Sequence, residues 1–130
     1  MKLFSLGPLE RLKSRAALND LFLHGKSFSF QGFRILYAPA EYNEDFPARA
    51  AFVVPSKTIK SAAKRNRIRR QMKEGYRKNK QDLYNILRKK KEGINLAIVY
   101  QGNTMIIKGE AEEKIIVLLQ RFINDLSSGK

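Results

Sequence analysis

Between Lys57 and Arg77 the chain gathers side chains of one chemical kind. Lys57, Lys60, Lys64, Arg65, Arg67, Arg69, Arg70, Lys73 and Arg77 all fall there, with Glu74 as the only acid. Guanidinium groups grip phosphate with a planar two-pronged fork and stack on bases, whereas ammonium groups act as mobile point charges. Arginine fills the middle of this run and lysine its ends. Asn66, neutral among arginines, has an amide suited to a base, a 2′-hydroxyl or a neighbouring backbone group. From Lys57 to Lys91 there are 15 basic residues against two acids, a net +13; the other 95 residues carry only +1 of the chain's +14. An excess confined to one stretch is the footprint of a polyanion-binding surface.

The chemistry open to this polypeptide is binding. His24 is the only histidine and cysteine is absent, which removes thiolate chemistry, disulfides and thiolate metal sites. His24 ends an apolar helical pattern, where its charge suits the helix dipole better than proton transfer. Glu41, Glu44 and Asp45 lie in a turn, and Glu110, Glu112 and Glu113 open the last helix. Neither set has metal-ligand spacing beside the basic run. No phosphate-cradling glycine loop or zinc pattern occurs. The residues therefore suggest neither a protein catalytic group nor a protein metal site. With no signal-type apolar segment and no run of the length needed to span a bilayer, the expected setting is cytoplasmic, without a membrane partner.

The elements that must position these cations follow from periodicity. Ser14 caps a predicted helix from Arg15 to His24, with Gly25 placed for a left-handed residue past its end. Phe28 to Ala38 reads as extended chain, with Phe33, Ile35 and Tyr37 on one face and Arg34 and Leu36 on the other. A polar turn spans Pro39 to Pro47, and a second strand runs from Arg49 to Val54. From about Ser61 the period becomes helical: Ile68, Met72, Gly75 and Tyr76 gather in one sector at 100° per residue. Asn66, Arg69, Arg70, Lys73 and Arg77 gather in another, Arg65 lies at the seam, and Lys64 and Arg67 point elsewhere. Arg88 to Lys91 reads as a mobile basic loop. Ile94 to Tyr100 suits a strand buried on both faces, and Gln101 to Asn103 turns the chain. Glu110 to Leu126 is amphipathic, with Ile115, Ile116, Leu119, Phe122, Ile123 and Leu126 on one side. The expected fold is a single α+β domain, an α-β sandwich of order α-β-β-α-β-α, with residues 1–11 and 127–130 flexible.

The run Lys64-Arg65-Asn66-Arg67-Ile68-Arg69-Arg70, on a helix between two strands of a small basic chain, closely resembles the bacterial ribonuclease P protein component. The similarity extends from about Leu12 to Leu126. It implies a left-handed β-α-β crossover, which no periodicity reveals and which runs against the usual hand. It also implies that Lys57, Lys64, Arg65, Asn66, Arg67, Arg69, Arg70, Lys73 and Arg77 contact a catalytic RNA subunit. Leu18, Phe22 and Tyr37 would line a cleft for the single-stranded 5′ leader of precursor tRNA. Leu18 stands where many members have an aromatic, and Lys73 where many have arginine. The resemblance assigns the Mg²⁺-dependent hydrolysis to the RNA and requires no protein partner. Composition alone would favour a noncatalytic RNA-binding or ribosome-associated protein. On either reading, neutralising about five phosphates should make log K for RNA fall with log salt at a slope of roughly −3 to −5. A salt titration of RNA binding with no such slope would contradict the cationic face.

Overall fold

The computed structural model describes residues 7–102 and 109–127. After a short 3₁₀ turn at Pro8–Glu10 come α1 (Arg15–His24), β1 (Lys26–Phe30), β2 (Phe33–Ala40), β3 (Ala48–Val53), α2 (Ala62–Asn79), α3 (Gln81–Lys90), β4 (Gly93–Tyr100) and α4 (Glu110–Ser127). Two elements depart from the expected order. The extended stretch before Ala38 is a hairpin, because Gln31 and Gly32 both take positive φ (44° and 86°), the conformation that closes a two-residue hairpin loop. The basic segment after α2 is also not a loop. Lys80, in the α-region, joins α2 directly to α3. Leu83, Tyr84 and Leu87 bury one face of α3, and Arg88, Lys89 and Lys90 form its last turn. Arg88 donates to the carbonyls of Glu44 and Asp45, and the Lys90 ammonium to that of Leu126.

The four strands lie in the order β1-β2-β4-β3, antiparallel except for the β3–β4 pair. The β3-α2-α3-β4 connection therefore joins adjacent parallel strands, as a crossover must. Strand alternation divides the sheet into two faces. Phe33, Ile35, Phe52, Leu96 and Ile98 pack against Ile68, Met72 and Tyr76 of α2, Leu83 and Leu87 of α3, and Ile115, Leu119 and Phe122 of α4. On the other face Leu36, Ala97 and Val99 pack against Leu21 of α1, with Leu12, Leu18, Ala38, Ala51 and Val53 around them. On α4 the stripe is centred one residue from expectation, since Leu118 is fully buried and Ile116 is not. At the other end of the chain, Ser14 caps α1 as expected, but Gly25 is extended rather than left-handed, with φ −69°. Its lack of a side chain answers a close approach instead: a Cβ there would lie 2.6 Å from the Leu21 carbonyl oxygen.

The expectation of a flexible segment through residue 11 fails for residues 7–11; residues 1–6 lie outside the described part, as do 128–130 and Asn103 of the expected turn. Arg11 bridges to Ala50 and the Leu12 amide donates to its carbonyl, extending the edge of β3. Glu10 is only 4% exposed and Lys80 only 2%. The Glu10 carboxylate accepts from the Lys80 ammonium, from the Tyr84 hydroxyl at 2.6 Å and from the Gly7 amide at 2.8 Å. Burial pushes the Glu10 pKa up, but these donors outweigh it and hold the value below the usual 4.5. Tyr84 is pushed above the ordinary tyrosine range by burial and by Tyr76 and Glu10 beside it, so it stays protonated and donating. The network fastens the N-terminal segment to the junction of α2 and α3. Because the folded pKa is the lower one, the stabilisation is present above pH 4.5 and drains away as pH falls through the folded value. Lys80→Met, which leaves the carboxylate buried and unpaired, should cost about 3–5 kcal/mol in urea unfolding. Glu10→Gln should flatten the loss of stability on the acid side; an unchanged acid slope in that variant would contradict the assignment.

Candidate nucleic-acid interface

Ser61 opens α2 by accepting from the Lys64 amide, and four buried residues set its rotation: Ile68, Met72, Gly75 and Tyr76, the sector read from the sequence. Gly75 is where α2 meets α4, since a Cβ there would sit 3.0 Å from Ile115 and 3.1 Å from the Glu112 backbone. Burying Ile68, Met72 and Tyr76 contributes about 1.5–3 kcal/mol apiece. That exceeds the few tenths lost at each like-charged pair, Arg65/Arg69, Arg69/Lys73 and Lys73/Arg77. The apolar stripe therefore wins, and the cations are turned outward as a group.

The outward residues do not share one role. Asn66, Arg69, Arg70 and Lys73 line a shallow open depression of about 260 Å³. Within it Arg69 donates to the Asn66 amide oxygen at 2.6 Å, which holds both side chains in place. Arg70 and Lys73 are exposed and form no ion pair among the described residues. Lys57, Lys64 and Arg67 are exposed beyond the depression. Arg65 is different: its guanidinium donates to the carbonyls of Ile59 and Lys60, both at 2.9 Å, and so ties the preceding loop to the helix. Arg77 meets Glu74 at 2.6 Å, which offsets part of its charge. Asn66, Arg69, Arg70 and Lys73 thus share the depression, while Arg65 holds the helix entry. A depression lined by cations without a carboxylate fits a phosphate group and offers nothing to activate a nucleophile.

The three residues expected to line a cleft do not come together. Leu18 and Phe22 lie on α1, the first half-buried and the second 47% exposed. Tyr37 lies on the opposite face of the sheet, edge-on to Phe122 of α4 at 4.7 Å between ring centroids. Burial and the nearby Asp125 push its pKa up there. The neighbour that does face α1 is Leu36, at 1% exposure. Adjacent strand residues point to opposite faces, so a displacement of one position exchanges the faces entirely. Phe22 is then the single aromatic that the described residues offer on the α1 face. What residue counting along the chain missed is the charge of that face. Lys13 and Arg15 lead into α1, while strand alternation puts Arg34 and Arg49 on the same side. From Leu12 to Ala40 the only acid is Asp20. The signal was present in the alternation of Arg34 with Ile35 and of Arg49 with Ala50. Among the described residues no group of three or more histidines, cysteines or acids is placed to hold a metal ion, and no helix is long and apolar enough to cross a membrane.

Comparison with known proteins bears on this arrangement directly. A family model described as Ribonuclease P matches residues 6–121. The chain belongs to the ribonuclease P protein family. Among its relatives, the ribonuclease P protein component of Syntrophus aciditrophicus is 32% identical over 108 residues, which cover 83% of this chain and 82% of the relative. That of Porphyromonas gingivalis is 32% identical over 87 residues, 67% of this chain and 64% of the relative's own length. The RNase P protein of Thermotoga maritima superposes with a TM-score of 0.63 at 24% identity, covering 86% of this chain and 96% of that one. The Staphylococcus aureus protein gives 0.56 at 16% identity, covering 90% and 94%. The ribonuclease P protein fold is thus shared at sequence identities too low to preserve most side chains.

The division of labour on α2 has a measurable consequence. Replacing Arg70 and Lys73 together by alanine should leave the urea midpoint of this ribonuclease P protein nearly unchanged and weaken RNA binding at least tenfold, about 1.4 kcal/mol. Arg65→Ala should instead lower stability by about 1.5–3 kcal/mol through its lost carbonyl contacts. The opposite pattern of stability losses would refute this assignment.

Proposed function

We propose that the chain is the protein subunit of ribonuclease P. On this reading α2 seats the protein on the catalytic RNA subunit, and the α1 face receives the single-stranded 5′ leader of precursor tRNA. The leader is then removed to give the mature tRNA 5′ end. The observation that carries the reading is the depression of Asn66, Arg69, Arg70 and Lys73. Its cations are directed to solvent by the buried stripe beneath them and left without carboxylate partners among the described residues. Support for the leader comes from the second cationic face, which pairs Phe22 with Arg15, Arg34 and Arg49 on the side of the sheet away from α2. Single-stranded RNA binds where an aromatic surface adjoins a positive groove. Two basic surfaces on opposite faces of one sheet let the protein hold two RNA strands without competition between them.

The polypeptide's part in the reaction is positional. Its cations offset phosphate charge and its α1 face orients the leader, which lowers the entropic cost of aligning the scissile phosphate. The acids of the chain do not gather into a cation site among the described residues. Mg²⁺ in this reading would be held by the RNA, as the resemblance implies, and would supply activation of the attacking water there. The test is reconstitution of the folded protein with catalytic RNA and a precursor tRNA at moderate Mg²⁺. A strong rise in 5′ maturation is expected, together with preference for leader-bearing over mature tRNA. Failure of the folded protein to stimulate cleavage would falsify the proposal.

A further inference from the structure

Arg70 borders two hollows. One is the depression it shares with Asn66, Arg69 and Lys73; the other, of about 330 Å³, opens where α2 meets the start of α4. Arg70, Gln71, Glu74, Lys78, Gly109 and Glu112 line this second hollow. Its chemistry differs, because two carboxylates face two cations. Each acid engages one cation through one oxygen: Glu74 Oε2 accepts from Arg77 at 2.6 Å, and Glu112 Oε1 meets Lys78 at 3.4 Å. The other oxygen of each carboxylate keeps lone pairs for a further donor. Both acids can be reached from solvent, with side-chain exposures of 46% and 35%. Gly109 leaves the α4 side of the mouth clear, since a Cβ there would meet no atom within 4 Å among the described residues. The dipole of α4 favours Glu112 in its first turn. Glu74 has no such support at the middle of α2, and it is the only acid between Lys57 and Lys80. Its exposed pair with Arg77 adds little stability. A ligand that donates hydrogen bonds accounts for an acid at this position.

We propose that the hollow between α2 and α4 receives one unpaired base of the catalytic RNA subunit, guanine in preference, while Arg70 holds the adjoining phosphate. The lining selects the occupant. Carboxylate oxygens only accept, and the pairing edge of guanine offers adjacent donors, N1–H and the 2-amino group. Adenine and cytosine set one amino group beside an acceptor, and uracil sets its N–H between carbonyls. Arg70 makes the hollow continuous with the cationic depression, and Glu74 stands one helical turn further along α2. A backbone seated in the depression therefore passes Arg70 with its next base directed to the acids. Phosphate contacts position RNA without reading it, whereas contacts to the edge of an unstacked base do read it. The site rests on the reading that α2 seats the RNA subunit, and adds base selection to that contact.

The test compares the full chain with its Glu74→Gln and Glu112→Gln variants in binding to the catalytic RNA subunit and to poly(U) at one salt concentration. Charge alone predicts that losing a carboxylate beside a cationic surface tightens binding to both RNAs. The base site requires the opposite sign for the catalytic RNA. Each variant should bind it about three- to tenfold more weakly, the equivalent of one hydrogen bond, and bind poly(U) as well as the parent or better. Kethoxal, which modifies the N1 and 2-amino edge of unpaired guanine, should reveal a guanine that the parent protects and Glu112→Gln leaves open. Glu112→Gln stands independently if Glu74→Gln fails to fold. Tighter or unchanged binding of the catalytic RNA by either folded variant, or no guanine whose protection depends on Glu112, overturns the base site alone. Dimerisation of the parent that either variant abolishes would assign the hollow to a second copy and likewise overturn it. A parent protein that binds the catalytic RNA no more tightly than poly(U) overturns the seating of that RNA on α2, and the base site with it.

Discussion

Burial of one narrow stripe on α2 governs the rest of this molecule. Ile68, Met72 and Tyr76 are wholly inaccessible, and Gly75 lets α4 approach to within contact of the α2 backbone. The helix carries eight cations between Lys64 and Lys78, and in isolation their repulsion would disfavour it. Packing reverses the balance, because each buried side chain is worth several times a like-charge pair. Once the stripe is seated, the helix has no rotational freedom left. Asn66, Arg69, Arg70 and Lys73 must then share one solvent-facing hollow, whatever their mutual repulsion, and that repulsion is relieved when an anion arrives.

The buried network of Glu10, Lys80 and Tyr84 extends the same constraint to the other side of the sheet. Lys80 ends α2, and Glu10 begins the segment that passes the edge of β3 on its way to α1. The helix that presents the arginines is thus tied to the helix that covers the opposite face. A buried ion pair adds little stability over an apolar substitute, but breaking it from one side is costly. Its structural effect is to keep two basic surfaces in a fixed relation.

Charge in this chain is segregated at two levels. Along the sequence it concentrates between Lys57 and Lys91, and that block maps onto α2, α3 and the loops at their ends. In space a second concentration appears that no window along the chain displays, because Arg34 and Arg49 come from strands separated by a turn. Most acids lie elsewhere, in the turn after β2, at the start of α4 or buried at Glu10, and α1, α2 and α3 carry one each, Asp20, Glu74 and Asp82. Arg88, Lys89 and Lys90, which looked like a free basic loop, are bound into the end of α3, and two of them hold backbone carbonyls. Local charge density did not separate cations left open to solvent from those that hold the fold.

The chain's own order of residues determined the two faces of α2, the strand character of β4, the Ser14 cap and the confinement of positive charge. These depend on local periodicity and on the chemistry of single side chains. Tertiary structure decided what periodicity leaves open. It placed Tyr37 against Phe122 and put Leu36 beneath α1, because pairing register sets which parity of a strand meets which helix. It made Arg65 a tie for the loop before α2, because only the folded loop brings the carbonyls of Ile59 and Lys60 within reach. It also joined Glu10 to Lys80 across 70 positions, an encounter that spacing along the chain does not encode.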